Sequence, residues 1–154
     1  MCMNPISELR KEHIAIEREL FELDSIMEDE VINYSNLVHT FRKLCEIWDK
    51  HEEEEDGIFA VMKRERIVVP VYTMTCEHRD IRGYANRFKD AINSGSDFKV
   101  KKCFDKDLKV LIAKVREHIN MEDEVLYRIA LDEFSEEELE EMAGMIREGD
   151  SPTP

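Results

Sequence analysis

The chain has 154 residues, enough for one domain with its own core, and its hydrophobic fraction of 42 % is that of a folded globular protein. A charged fraction of 38 %, with five glycines and four prolines, suits long amphipathic helices better than sheets. The formal net charge of −14 argues against nucleic acid and anionic membrane as partners, since both attract basic surfaces, and no apolar run approaches the roughly 20 residues of a membrane helix.

Asn4-Pro5 caps and opens a first predicted helix. Its apolar stripe runs Ile6, Leu9, His13, Ile16, Leu20, Leu23, Met27, at helical spacings of three and four. Asp29 to Ser35 forms the first connection. A second stripe follows: Leu37, Phe41, Leu44, Trp48, His51, Glu55, Ile58, Met62. Pro70 suits the start of a third helix, whose stripe is Val71, Met74, His78, Ile81, Ala85, Phe88, Ile92. Ser94-Gly95-Ser96-Asp97 ends it. The fourth stripe is Phe104, Leu108, Leu111, Val115, His118, Glu122, Val125, Ile129. Between these positions the chain is mostly charged, so each helix has one apolar and one solvated face.

Ser135 with Glu138 reads as a capping box for a short acidic helix near 136–148, expected to pack loosely on the rest. The tail Asp150 to Pro154 is expected to fray. Short connections favour antiparallel neighbours. The predicted fold is therefore all-α: an up-down-up-down antiparallel four-helix bundle over 1–134, then a short acidic C-terminal helix and tail over 135–154. The start, MCMNPISELR, has no apolar signal region, and Cys2, Cys45, Cys76 and Cys103 form no CxxC pair. The expected compartment is the cytoplasm, with the cysteines as free thiols.

The stripes repeat. First and third superpose at an offset of 65 residues, so that Glu12-His13 and Ile16 match Glu77-His78 and Ile81. Second and fourth superpose at an offset of 67, so that His51-x-x-x-Glu55-Asp56 matches His118-x-x-x-Glu122-Asp123. Stripes coincide easily, but histidines and carboxylates at matched places within them do not. The bundle is expected to carry a pseudo-twofold internal repeat of two helix pairs.

Six polar residues stand where the pattern demands core: His13, His51, Glu55, His78, His118 and Glu122. Residues i and i+4 share one helix face, roughly 6 Å apart, so each His-x-x-x-Glu presents an imidazole and a carboxylate to the bundle axis. Burying two unpaired carboxylates would cost several kcal/mol each, and no lysine or arginine lies in any stripe to pair them. Cations relieve that cost and use every imidazole. Mixed imidazole and carboxylate without thiolate suits iron, manganese or zinc rather than calcium or magnesium, and two symmetric halves suggest two ions. His13 and His51 would hold one ion, His78 and His118 the other, with Glu55 and Glu122 bridging.

The pattern His … His-x-x-x-Glu … His … His-x-x-x-Glu, with Ile58-Phe59 and Val125-Leu126-Tyr127 behind the two glutamates, resembles the hemerythrin family in its HHE cation-binding branch, over roughly residues 4 to 131. It does not resemble ferritin-type carboxylate proteins, which use Glu-x-x-His. The resemblance implies an oxo- or hydroxo-bridged and carboxylate-bridged pair of iron ions in a hemerythrin-like bundle, with a small diatomic ligand or peroxide as its partner. The leading expectation is a non-haem di-iron protein that binds or senses dioxygen, nitric oxide or iron; the alternative is a di-iron oxidoreductase that reduces nitric oxide or peroxide. Oxygen-carrying members place a further third-helix histidine where this chain has Met74 or Arg82, so reversible oxygen storage is not the expected role. Glu52 is a candidate seventh ligand on an otherwise solvated face. His39 is expected at the surface, and Tyr34, Tyr84 and Tyr127 in helix-surface packing, with a proton or hydrogen bond supplied near a bound ligand as the alternative for the tyrosines. Trp48, Ile16, Ile81, Val115, Ile58 and Val125 are expected in the core, one turn from the ligands.

Overall fold

A computed structural model describes residues 4–67 and 71–149. Pro70, Cys2 and the tail from Asp150 lie outside the described residues. Three long helices open the chain: α1 (Pro5–Glu28), α2 (Tyr34–Arg64) and α3 (Val71–Asn93). A fourth helical run spans 97–133 and is built from α4 (Asp97–Cys103), a π turn (Phe104–Leu108), α5 (Lys109–Met121), a second π turn (Glu122–Leu126) and α6 (Tyr127–Glu133). Helix α7 (Glu136–Gly149) follows.

The helix ends are written in the sequence. Asn4 accepts from Ile6 N at 2.9 Å with Pro5 in the first turn, and Asn33 and Ser96 accept from Asn36 N and Lys99 N in the same way. These side chains satisfy backbone donors that the first turn leaves without partners. Gly95 takes a left-handed φ of +67° between α3 and α4, a conformation that glycine adopts without steric cost. Ser135 N donates to Glu138 Oε1 and Glu138 N donates back to Ser135 Oγ, the reciprocal capping box expected there.

Two apolar clusters fix the topology. One joins the second half of α1 (Ile16, Leu20, Leu23) with the first half of α2 (Leu37, Phe41, Leu44), the later part of α3 (Ile81, Phe88) and α5 (Leu111, Val115). The other joins the start of α1 (Ile6, Leu9) with the end of α2 (Ile58, Phe59, Met62), the early part of α3 (Met74) and α6 (Tyr127, Ala130). Starts pack against ends throughout, which makes the four helices alternate in direction, the arrangement short connections favour. Among the described residues no helix is long and apolar enough to cross a membrane.

Two expectations are corrected. Leu139 and Met142 of α7 are each 2 % exposed and belong to the second cluster, so α7 is docked rather than loosely packed. In addition, the fourth stripe slips by one residue after Glu122. Val125 is 42 % exposed and Ile129 half-buried, while Leu126 and Ala130 are buried. The cause is the π turn Glu122–Leu126, which inserts one residue into the helical frame and rotates everything after it.

Candidate metal centre

His13 comes from the middle of α1, His51 and Glu55 from α2, His78 from α3, His118 from α5, and Glu122 opens the second π turn. None of the six is more than 4 % exposed. They form a polar layer between the two apolar clusters, and their inner atoms converge. His13 Nε2 lies 3.0 Å from His51 Nε2, and His78 Nε2 lies 3.0 Å from His118 Nε2. The ligating atoms of His13, His51 and Glu122 fall within 4.8 Å of one another, and so do those of His78, His118 and Glu55. Each carboxylate also reaches across. Glu55 Oε1 is 3.0 Å from His51 Nε2 and 3.5 Å from His78 Nε2, while Glu122 Oε1 is 3.0 Å from His118 Nε2 and 3.5 Å from both His13 and His51. The six residues are thus brought together, with each glutamate between the two histidine pairs.

The outer nitrogens are equally organised. His51 Nδ1 meets Glu12 at 3.0 Å, His13 Nδ1 meets Asp123 at 3.1 Å, and His118 Nδ1 meets Glu77. His78 Nδ1 faces Glu52 at 3.6 Å and Asp56 at 3.8 Å. A carboxylate at Nδ1 keeps the proton on that nitrogen and leaves the Nε2 lone pair pointing inward. The repeated Glu-His and Glu-Asp dipeptides therefore have a structural meaning: Glu12, Glu77 and Asp123 each serve a histidine of another helix.

That arrangement tests whether cations fit. Inside the ring of outer carboxylates, four imidazole Nε2 atoms and two carboxylates face one another in a buried layer. Glu55 Oε1 and Glu122 Oε1 are buried and accept no hydrogen bond from the described residues. Buried polar atoms left so are rare and costly. The donor set, all imidazole and carboxylate, matches what iron, manganese or zinc takes. The clusters fit a metal site.

Electrostatics points the same way. Burial, reinforced by neighbouring His51, pushes His13 down to about 4. His118 is lowered chiefly by burial. Burial also opposes charge on His51, yet the Glu55 carboxylate and hydrogen bonding to Glu12 outweigh it and raise His51 to about 9. Burial would raise Glu55, but the charge on His51 and the close approach of the His51 and His78 rings bring it down to about 2. A proton on His51 compensates Glu55; a cation held in the layer would take over that role and displace the proton.

Residues beyond the expected set complete the site. Tyr127, expected in helix-surface packing, is 1 % exposed. Its Oη lies 3.0 Å from His13 Nε2 and donates to Glu55 Oε2 at 3.2 Å or Glu122 Oε2 at 3.4 Å. Burial and the Glu55 charge raise its pKa, so in this environment it is a neutral donor. The π turn brings it inward, a displacement that no periodicity announces. Trp48 is core as expected, with its ring 5.6–5.8 Å from those of His51, His78 and His118. Glu52 is buried, but it pairs with Arg82 at 3.0 Å and stands behind His78, away from the inner nitrogens. Met74 is fully buried among apolar side chains. His39 is exposed, Tyr34 is 38 % exposed, and Tyr84 lies under the Arg87 guanidinium at 4.4 Å. A cleft of about 270 Å³, lined by Leu44, Ile81, Leu111 and Val115 with Arg82 and Lys89 also on its wall, reaches Trp48 from the side of α2 and α3.

A family model described as the hemerythrin HHE cation binding domain matches residues 4–130. No curated protein and no solved structure matches the chain.

Proposed function

The chain belongs to the hemerythrin HHE cation-binding family, and from that premise we propose that its buried layer holds two iron ions and that the protein binds or senses dioxygen, nitric oxide or iron. The supporting observation is the pair of buried carboxylate oxygens, on Glu55 and Glu122, that accept no hydrogen bond from the described residues while lying among four inward-facing imidazole nitrogens. His13 and His51 would hold one ion and His78 and His118 the other, with Glu55 and Glu122 shared between them. Bound as a pair, iron supplies reversible one-electron steps toward dioxygen, nitric oxide or peroxide. Manganese and zinc suit the same donors, so the loading conditions decide the occupant.

The protein's own contribution is placement and exclusion of water. Apolar clusters above and below the layer keep it dry, which strengthens every charge interaction inside. The outer carboxylates hold the Nδ1 side of His13, His51 and His118 and so orient their rings before metal arrives. Trp48 stands between the layer and the cleft.

Metal content per chain, measured on protein loaded with iron, tests this reading. About two irons are expected, and Glu122→Ala is expected to fold with strongly reduced iron, because one shared carboxylate is lost from both ions. Wild-type iron content in that variant would sink the bridging assignment. A second reading, an oxidoreductase that reduces nitric oxide or peroxide, draws support from Met74, which is fully buried where a further histidine would close one ion, so that one ion would keep an open position. Multiple-turnover consumption of nitric oxide or peroxide favours the enzyme; stoichiometric binding alone favours the sensor.

A further inference from the structure

The internal repeat makes the two halves of the layer nearly equivalent, and one hydroxyl distinguishes them beside the inner nitrogens. His13 and His78 are repeat mates. A ring stacks on each: Tyr127 on His13, at 5.2 Å between centroids and 18° between planes, and Phe59 on His78, at 6.3 Å and 22°. Phe59 stands four residues after Glu55 and Tyr127 five after Glu122, the extra residue being the one inserted by the π turn. Tyr127 and Phe59 are therefore structural counterparts that differ by a hydroxyl. That hydroxyl lies within 3.4 Å of an inner histidine nitrogen and both shared carboxylates, so it belongs to the same donor cluster. Among the described residues, no hydroxyl corresponds to it on the Phe59 side.

We propose that Tyr127 Oη is a seventh protein ligand, taken by the ion of the His13–His51–Glu122 group, and that exogenous ligands bind at the His78–His118–Glu55 side, where Phe59 offers no donor. The inference rests on the metal-centre reading above. Binding exchanges the phenolic O–H bond for an oxygen–metal bond, and the proton leaves for solvent, as metal capture by protonated ligands requires. No change in iron oxidation state is involved. The two ions then differ: one is closed by protein, and the other keeps its open position for small molecules.

The test begins with the wild-type protein loaded with ferric iron, its iron content measured and its resonance Raman spectrum excited in the visible. Tyrosinate vibrations enhanced by phenolate-to-iron charge transfer are expected, and they should vanish in Tyr127→Phe while iron content stays at the wild-type level. Azide titration should show one azide bound per centre in wild type and two in Tyr127→Phe, whereas Phe59→Tyr should reduce azide binding and add a second set of tyrosinate modes. Iron-loaded wild type without tyrosinate modes overturns the assignment of Tyr127 and leaves the di-iron reading intact. Failure of the wild type to take up iron overturns both. Because the wild-type spectrum alone is decisive, a variant that folds poorly does not blunt the test.

Discussion

Glu77 and His118 illustrate how single side chains distinguish a histidine arranged for the proposed ligand role from one that is merely buried. An imidazole that serves only the core has no use for a carboxylate on its outer nitrogen while its inner nitrogen faces a second imidazole. In this protein His13, His51 and His118 all have that arrangement. Replacing Glu77 by Gln removes the charge that holds the proton on His118 Nδ1, and Glu77 is about one-third exposed, so the fold should tolerate the change. Metal affinity should fall about 10–100-fold, read by competition with a chelator, with the thermal midpoint of the metal-free protein nearly unchanged. Equal affinity in the variant would mean that the outer carboxylate has no part in orienting the ligand. At this scale the sequence was informative about His13, His51, Glu55, His78, His118 and Glu122, because polar residues inside apolar stripes stand out against a periodic background. The outer carboxylates appeared only as repeated dipeptides, since each serves a histidine on a different helix and that partnership exists only once the helices pack.

The fourth helical run contains the clearest divergence between periodicity and structure. A stripe with strict three-and-four spacing puts Val125 in the core, whereas the π turn at Glu122–Leu126 exposes it and buries Leu126 and Tyr127. π turns are rare, and no composition signal marks them, but they recur at functional sites because they re-aim side chains. This one starts at a proposed ligand and delivers a tyrosine to the same layer. Its register can be read by paired truncations. Leu126→Ala should cost about 2–5 kcal/mol, the range for emptying a packed core position, while Val125→Ala should stay within about 0.5 kcal/mol, as surface changes do. Urea unfolding of both variants in the metal-free state checks this, and the reverse order would restore the unbroken stripe. The helix starts, by contrast, were legible almost to the residue at Asn4-Pro5 and Ser135, because capping chemistry is local and needs no knowledge of packing.

For the whole molecule, the proposed centre is a layer between two cores, and the cores are closed differently. The first is walled by the four bundle helices. The second, which contains Tyr127 and Phe59 above the histidines, is also covered by Leu139 and Met142 of α7. An acidic helix of this kind looks solvated in sequence because three glutamates open it and charge dominates its composition; its buried face is carried by few residues. That face should contribute to both stability and retention of metal. Each buried Leu or Met contributes about 1.5–3 kcal/mol, so Leu139→Ala with Met142→Ala should lower the urea midpoint clearly and open a path for water to the Tyr127 side of the layer. Iron release to a chelator should then accelerate even under conditions where the bundle remains folded by circular dichroism, because local opening at the thinned end precedes global unfolding. A lowered midpoint with unchanged iron release would make α7 a stabilising cover with no bearing on the centre. If both values stayed at the wild-type level, the bundle would close its second core without α7, and the dryness of the layer would have to come from the four bundle helices alone.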